Sequence, residues 1–470
     1  MTKLLKKLFW LIPLAVMVYG IYKPLPKGLS YRGKIHNDSA IRFHYNLRYD
    51  TEQQSHWETP LYDKVCSMIE EAEEFIVCDL FLFNDYYKEK VKFPPLADQL
   101  TEELIRKKQD KPQMRILFIT DPVNTVYGFH ESPHIERLKE HGVEVVITKL
   151  ELLRDSNPLF SGFWRSYIRW LGVRGQGWLP HPVSSVHPQL TLRAYLYMFN
   201  IKANHRKVIL TEKEGLITSA NPHDASAYHA NIGYSFRGRM IQDILESEKA
   251  VVDYCGVHEL PVWKPGSSSP VKERESSVQV LTEGQIWKDT LKIIEDAQPG
   301  DELLIATLYL SERKMIRQLV NAARRGVKIK IIFDQNMEAF GQSKIGLPNV
   351  PVAEELKNRT ADKIKIRWYE TKGEQFHPKM LILKRGEQAI IIAGSANFTR
   401  RNLKNLNLES NVKIQGNVSN EAIKDSIAFF NRLWNNEDGL HTAAYETYKS
   451  SSRFLKFIYR IQKLLKLSTY

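Results

Sequence analysis

Apolar and polar positions follow two periods along the chain, and their order repeats. Residues 67–83 read SMIEEAEEFIVCDLFLF, a helical spacing of apolar residues, an acidic turn and then a continuous apolar run. Residues 292–310, KIIEDAQPGDELLIATLYL, have the same order. Each is followed by a further helical stretch and a second apolar strand, MRILFITDP at 114–122 and VKIKIIFDQ at 327–335. Short apolar runs alternating with helical periods predict α/β layers with much parallel pairing. Between the two series, PVWKPGSSSPVKERESS at 261–277 is rich in proline, serine and charge and reads as a linker. The pattern predicts two similar α/β halves, at 40–260 and 278–440.

A finer repeat sits at matching places in the two halves. Residues 205–221 read HRKVILTEKEGLITSAN, and residues 377–397 read HPKMLILKRGEQAIIIAGSAN. Each has His-x-Lys heading an apolar strand, a polar turn, a second apolar strand and then Ser-Ala-Asn. One such stretch alone reads as the polar end of a strand; its recurrence changes that. Side chains alternate faces along a strand, so His205 and Lys207 share a face, as do His377 and Lys379. The return strand brings Ser-Ala-Asn back beside His-x-Lys. Ser219, Asn221, Ser395 and Asn397 are of the types that cap helix N-termini, where backbone N–H groups favour anions. An imidazole, an ammonium and neutral donors, supplied twice, suit a phosphodiester. The lysines and donors neutralise its non-bridging oxygens. One histidine attacks phosphorus, and the other protonates the leaving alkoxide and then deprotonates the acceptor. No cluster of acids, histidines or cysteines with metal-ligand spacing accompanies the pattern, so no metal or other cofactor is implied.

The paired pattern resembles the phospholipase D superfamily, whose hallmark is H-x-K-x4-D followed by a G-S-x-N-like stretch, present twice. The resemblance runs from about residue 50 to 435. It implies a two-lobed α/β fold with the active site between the lobes and a phosphohistidine intermediate. It implies one half-site of His205, Lys207, Ser219 and Asn221, and another of His377, Lys379, Ser395 and Asn397. The His/Lys pairs are then catalytic, the Ser/Asn pairs bind the substrate phosphate, and the first-half histidine is the nucleophile. The sequence departs from the hallmark at its acid, which is Glu212 in one half and Lys384 in the other. Seven places after its histidine on a regular strand, that position faces away from the phosphate and serves as a support. Family members often carry a further acid that holds a catalytic histidine. Glu409 suits that role for His377, and the matching place in the first half is Gly233. That leaves His205 without such support, or with Asp224 in its place.

Charge and length sharpen the picture. With 470 residues, 43% hydrophobic and 26% charged, the chain has an ordinary folded composition and room for more than one domain. Cys66, Cys78 and Cys255 form no metal or disulfide pattern. The net charge of +13 suggests nucleic acid until it is located. Residues 1–34 hold seven Lys/Arg and no acid, residues 449–470 hold six and no acid, and residues 35–448 are formally neutral. Both ends look suited to a membrane. Residues 1–34 begin MTKLLKKLFWLIPLAVMVYGIYK, an apolar stretch behind three lysines. The absence of an A-x-A cleavage site favours an uncleaved single anchor over a signal peptide. The short N-terminal side then stays in the cytoplasm and the body lies outside it. In the tail 449–470, Lys456, Arg460, Lys463 and Lys466 fall on one helical arc. Phe454, Phe457, Ile458, Ile461, Leu464 and Leu465 fall opposite, the pattern of a membrane-surface helix. A third stretch, residues 160–179, interleaves Trp164, Trp170 and Trp178 with Arg165, Arg169 and Arg174, which suits a headgroup layer, a packed insertion or stacked nucleotides and so does not decide the partner.

Together these features lead to a membrane-associated phospholipase D-type phosphodiesterase or phosphatidyltransferase. It would act on phospholipid headgroups by hydrolysis or by transfer like that of cardiolipin synthases. A membrane-tethered nuclease and a non-catalytic lipid-binding relative are the alternatives, and the placement of charge argues against nucleic acid.

Overall fold

Two eight-stranded mixed sheets grow out of the two sequence halves. The structure is a computed structural model; it describes residues 2–37, 39–87, 92–182, 184, 187, 189–256, 259–264, 276–339, 342–450 and 452–466. Most of the expected linker, residues 265–275, lies outside the described residues. The first sheet uses β1 (Ala40–Asp50), β2 (Ser55–Glu58), β3 (Phe75–Leu80), β4 (Arg115–Thr120), β5 (Glu144–Ile147), β6 (Lys207–Thr211), β7 (Gly215–Thr218) and β8 (Asn231–Arg237). They lie in the order β2-β1-β8-β7-β6-β3-β4-β5. The second sheet uses β9 (Ser276–Thr282), β10 (Glu302–Thr307) and β11 (Lys328–Phe333). A small ribbon of β12 (Glu338–Ala339) and β13 (Gln342–Ser343) follows. The second sheet then continues with β14 (Lys365–Tyr369), β15 (Lys379–Arg385), β16 (Gln388–Gly394), β17 (Ser410–Asn417) and β18 (Thr442–Ala444), in the order β18-β14-β11-β10-β15-β16-β17-β9.

The duplication holds at the level of topology. β3, β4 and β5 run parallel, joined by the helices Leu96–Asp110 and Pro133–Glu140; β10, β11 and β14 run parallel, joined by Arg313–Arg325 and Asn349–Thr360. Parallel neighbours need such crossovers, whereas the short turns after β6 and β15 return the chain as antiparallel hairpins. The inner faces of the two sheets share one core. Val208, Leu210, Ile217, Ile232 and Tyr234 of the first meet Met380, Ile382, Ile391, Val412 and Ile414 of the second, together with the helices Met240–Cys255 and Glu421–Asn435. The outer faces are covered by the remaining helices.

Polar ties also cross between the halves. Arg206, between the histidine and lysine of the first motif, is fully buried. It donates to Ser247 O and Glu248 Oε1 at 2.9 and 3.0 Å, and to Glu283 Oε1 at 2.8 Å. Glu283 in turn accepts the backbone N–H of Glu409. The hallmark-acid positions are supports, as strand parity predicts. Glu212 accepts the N–H groups of Glu73 and Glu74 at 2.9 and 3.1 Å, closing the turn before β3. Lys384 pairs with Glu302 at 3.1 Å at the far end of β15.

The chain ends differ from expectation in three ways. Among the described residues no helix is long and apolar enough to cross a membrane. The N-terminal helix Thr2–Tyr22 carries Pro13 and three lysines, and it rests on the Trp/Arg segment. Arg165 donates to Val16 O at 3.0 Å, the Asp155 N–H donates to Gly20 O, and Phe9 stacks on Tyr167. Second, residues 30–36 are not a free flank. They run beside β9, with the Gly33 N–H donating to Val280 O and Arg32 paired with Asp289. Third, the C-terminal helix Arg453–Leu465 turns its lysines inward. Lys456 pairs with Glu354, Lys463 donates to Ser311 O, and Tyr459 is buried. Phe454, Phe457, Ile461, Leu464 and Leu465 face solvent.

Removing Arg206 strands Glu248 and Glu283 without their cation. Arg206→Met is expected to cost about 3–5 kcal/mol, read as a lowered thermal midpoint in calorimetry. An unchanged midpoint would show that this network is not a tie between the halves.

Candidate active site

The heads of β6 and β15 meet between the sheets through a reciprocal exchange of backbone bonds. The His205 N–H donates to Leu408 O at 2.9 Å, and the Leu408 N–H returns a bond to Ala203 O at 3.0 Å. Likewise the Ala230 N–H donates to Gln375 O at 3.1 Å, and the His377 N–H returns a bond to Ala230 O at 2.9 Å. Each histidine is thereby laid beside the first residues of the other half's returning strand.

What stands there differs between the two sides. His205 Nδ1 lies 3.0 Å from Glu409 Oε2, and His377 Nδ1 lies 3.0 Å from Asn231 Oδ1. A carboxylate oxygen can only accept, and the Asn231 amide nitrogen is committed to His229 O, so both rings carry their proton on Nδ1 and leave Nε2 with its lone pair. The expected pairing of Glu409 with His377 is thus corrected: Glu409 serves His205, from across the interface. Gly233 is not its counterpart. Ser219 N–H donates to Ile232 O as Ser395 N–H does to Ser410 O, which matches Asn231 to Glu409. The loop after Ser-Ala-Asn is two residues shorter in the first half, so counting equal offsets lands on Gly233. There a Cβ would come within 2.7 Å of Leu61. Asp224 accepts from the Ala97 N–H, away from His205.

Ser219 and Ser395 need the same correction. Their hydroxyls donate to Asn231 Oδ1 at 2.9 Å and to Glu409 Oε2 at 2.5 Å, and accept the N–H of Ile232 and of Ser410. They brace the histidine partners and do not face the cavity. Asn221 and Asn397 do line it, with His205 and His377, in a space of about 330 Å³ also walled by Phe81, Tyr309, His229 and Arg401.

Lys207 and Lys379 are fully buried, and each ammonium donates to the carbonyl of its own motif's histidine, at 2.8 and 2.5 Å. Burial pushes Lys207 down to about 7 and, with the charge of Lys207, drives Lys379 well below its ordinary range. Burial lowers His205 to about 4 against the pull of Glu409, and burial with the charge of Lys379 lowers His377 well below its ordinary value. Burial alone would raise Glu409, but His205, Lys207 and Ser395 hold it ionised. The site is therefore two neutral imidazoles beside two buried lysines whose charged forms lack an anion.

Two supports escaped the sequence reading. Asp121 ends β4 and accepts the N–H of Asn204 at 2.7 Å; Asp334 ends β11 and accepts the N–H of Phe376 at 2.7 Å. Each fixes the residue before a catalytic-motif histidine. Their repetition in FITD and IIFD was visible as a duplicated strand-terminal acid.

Residues 290–434 match the family model described as cardiolipin synthase, PLD-like domain. The match lies within the second half of the chain, which therefore holds a PLD-like domain. Phosphatidylserine synthase of Haemophilus influenzae Rd KW20 shares the fold, with a TM-score of 0.59 and 12% identity over 91% of this chain and 95% of that one. Nuc of Salmonella typhimurium, a phospholipase D family member, aligns with 34% of this chain and 95% of its own, at 22% identity and a TM-score of 0.27. Yeast tyrosyl-DNA phosphodiesterase aligns over 81% of this chain and 91% of its own, at 9% identity and a TM-score of 0.39. No curated protein matches the chain in sequence. The duplicated motif supplies both halves of one pocket, and the partner of each histidine comes from the opposite half.

Histidine-resolved NMR titration reads this arrangement. His205 is expected to stay neutral until the pH falls through about 4. Glu409→Gln removes the charge that favours the imidazolium, so it moves the titration lower. Lys384→Ala leaves it in place. A His205 that titrates near its ordinary value in the intact chain would contradict the burial and pairing described.

Proposed function

We propose that the chain is a membrane-associated phosphodiesterase or phosphatidyltransferase that acts on phospholipid headgroups through a phosphohistidine on His205. The carboxylate of Glu409 behind His205, against a neutral amide behind His377, carries the assignment of roles. A nucleophilic imidazole gains positive charge as it attacks, and an ionised partner on Nδ1 stabilises that charge where an amide does so less.

The bound diester anion offsets the burial of Lys207 and Lys379, which with Asn221 and Asn397 neutralise its non-bridging oxygens. The same anion favours a proton on His377 Nε2. His205 Nε2 attacks phosphorus, the bond to the leaving alkoxide breaks, and His377 hands that oxygen its proton. Water or an alcohol then loses a proton to His377 and attacks phosphorus, and the phosphorus–nitrogen bond to His205 breaks. Hydrolysis and transfer differ only in the acceptor.

Lipid is favoured over nucleic acid by what the surface exposes. Phe454, Phe457 and Leu464 of the C-terminal helix stand 60–80% exposed. Trp170 and Leu171, and Leu14, Tyr19 and Tyr22 of the N-terminal helix, are exposed as well. Such apolar surface fits the headgroup and acyl boundary of a bilayer.

Two experiments test this reading. Purified chain is incubated, without added metal, with vesicles of phosphatidylglycerol or phosphatidylethanolamine and with single-stranded DNA. Lipid turnover is expected, falling about 10²–10⁴-fold in His205→Ala and in His377→Ala. DNA degradation with intact lipid indicates the nuclease, and binding without turnover a non-catalytic relative. Separately, replacing Phe454, Phe457 and Leu464 by serine is expected to weaken vesicle co-sedimentation by about tenfold or more. Undiminished binding would remove the C-terminal helix from the membrane contact.

A further inference from the structure

One cation in the cavity is not accounted for by a single phosphodiester. Arg401 lies four residues after Asn397, in the short helix Arg400–Leu403, and its guanidinium joins His205, His377, Asn397 and Tyr309 in the cavity wall. Its Nε and Nη1 are buried and, among the described residues, donate to nothing. Among the described residues no carboxylate pairs with it. The two acids whose charge reaches it, Asp121 and Glu409, are engaged elsewhere. Asp121 holds the N–H groups of Val123 and Asn204, and Glu409 holds His205, Ser395 and Asn402.

The same protein shows how it treats a buried arginine with a structural task. Arg206 is met by two carboxylates and a carbonyl, which take both of its Nη atoms and leave Nε alone without an acceptor among the described residues. Burying guanidinium donors without partners costs free energy, and a fold keeps such a group where a ligand completes it. The planar fork of arginine suits the paired oxygens of a phosphoryl group. The first half offers no equivalent, since the residue four places after Asn221 is Ala225. The extra cation therefore lies on one side of the reacting phosphate. On that side Tyr309 and Lys344 also line the cavity, with Lys344 exposed at its mouth.

We propose that Arg401 receives a second phosphoryl group, beside the one that His205 attacks, so that the substrates together carry two phosphates. This rests on the phosphodiester reading above. The second phosphate has two possible sources. It belongs to the donor, as in a lipid joined through a diphosphate, or to the acceptor, as in an alcohol that already carries a phosphate.

Binding without turnover tests this independently of catalysis. Calorimetric titrations use the intact chain and its Arg401→Gln and Arg401→Lys variants, with inorganic phosphate, pyrophosphate and glycerol 3-phosphate as probes. In the intact chain, either pyrophosphate or glycerol 3-phosphate added over saturating phosphate is expected to bind about tenfold or more tighter than phosphate alone. For pyrophosphate this indicates the donor, and for glycerol 3-phosphate added over saturating phosphate, the acceptor. Arg401→Gln is expected to bring the advantage within about twofold, and Arg401→Lys to keep part of it. Arg401→Gln is also expected to raise the thermal midpoint, because an unpaired buried charge is removed. An advantage that survives Arg401→Gln overturns the proposal. So does its absence in the intact chain, or a lowered midpoint with unchanged binding, which marks Arg401 as structural. Failure of lipid turnover in the intact chain bears on the proposed function alone.

Discussion

The exchange of backbone hydrogen bonds between residues 203–205 and Leu408, and between residues 375–377 and Ala230, sets the rest of the site. These bonds lock the register of one half against the other. Because of them Glu409 falls opposite His205 and Asn231 falls opposite His377. Neither half holds a complete set of groups. The shared core of the two inner sheet faces supplies the bulk of the attraction, but it is non-directional. The backbone bonds and the Arg206 network supply the geometry.

Duplication yields a pocket with approximate twofold character, and its function lies in the departures from symmetry. A carboxylate faces an amide, and in the proposed reaction this separates nucleophile from acid. Glu212 closes a turn where Lys384 makes an ion pair, which changes a support and leaves the phosphate site alone. Both lysines are buried and tied to a carbonyl, and the charge of Lys207 bears on Lys379 as well. The charged forms of both lysines are disfavoured in this space, and a bound anion would favour them. Binding therefore changes the protonation of the site as well as filling it.

Much of this was legible in the sequence because it is local. His-x-Lys parity, the hairpin return and the outward turn of Lys384 all follow from strand alternation. What was not legible is set by distant partners. No local rule shows that Glu409 crosses to His205, or that Ser219 and Ser395 spend their hydroxyls on Asn231 and Glu409. A loop shorter by two residues concealed Asn231 behind Gly233. The C-terminal helix was read correctly as two-faced. Which face turns inward depended on Glu354 and on the Ser311 carbonyl, which capture Lys456 and Lys463.

The central claim is that His205 forms a bond to phosphorus with Glu409 behind it. The most direct measurement is mass spectrometry of the His377→Ala chain, quenched after brief exposure to phospholipid. Without the acid/base on the other side, breakdown of the intermediate slows. The expected result is an acid-labile phosphatidyl adduct on the peptide that carries His205, absent from the His205→Ala chain. An adduct on the peptide carrying His377 in the His205→Ala chain, with none on His205 in any variant, would contradict it.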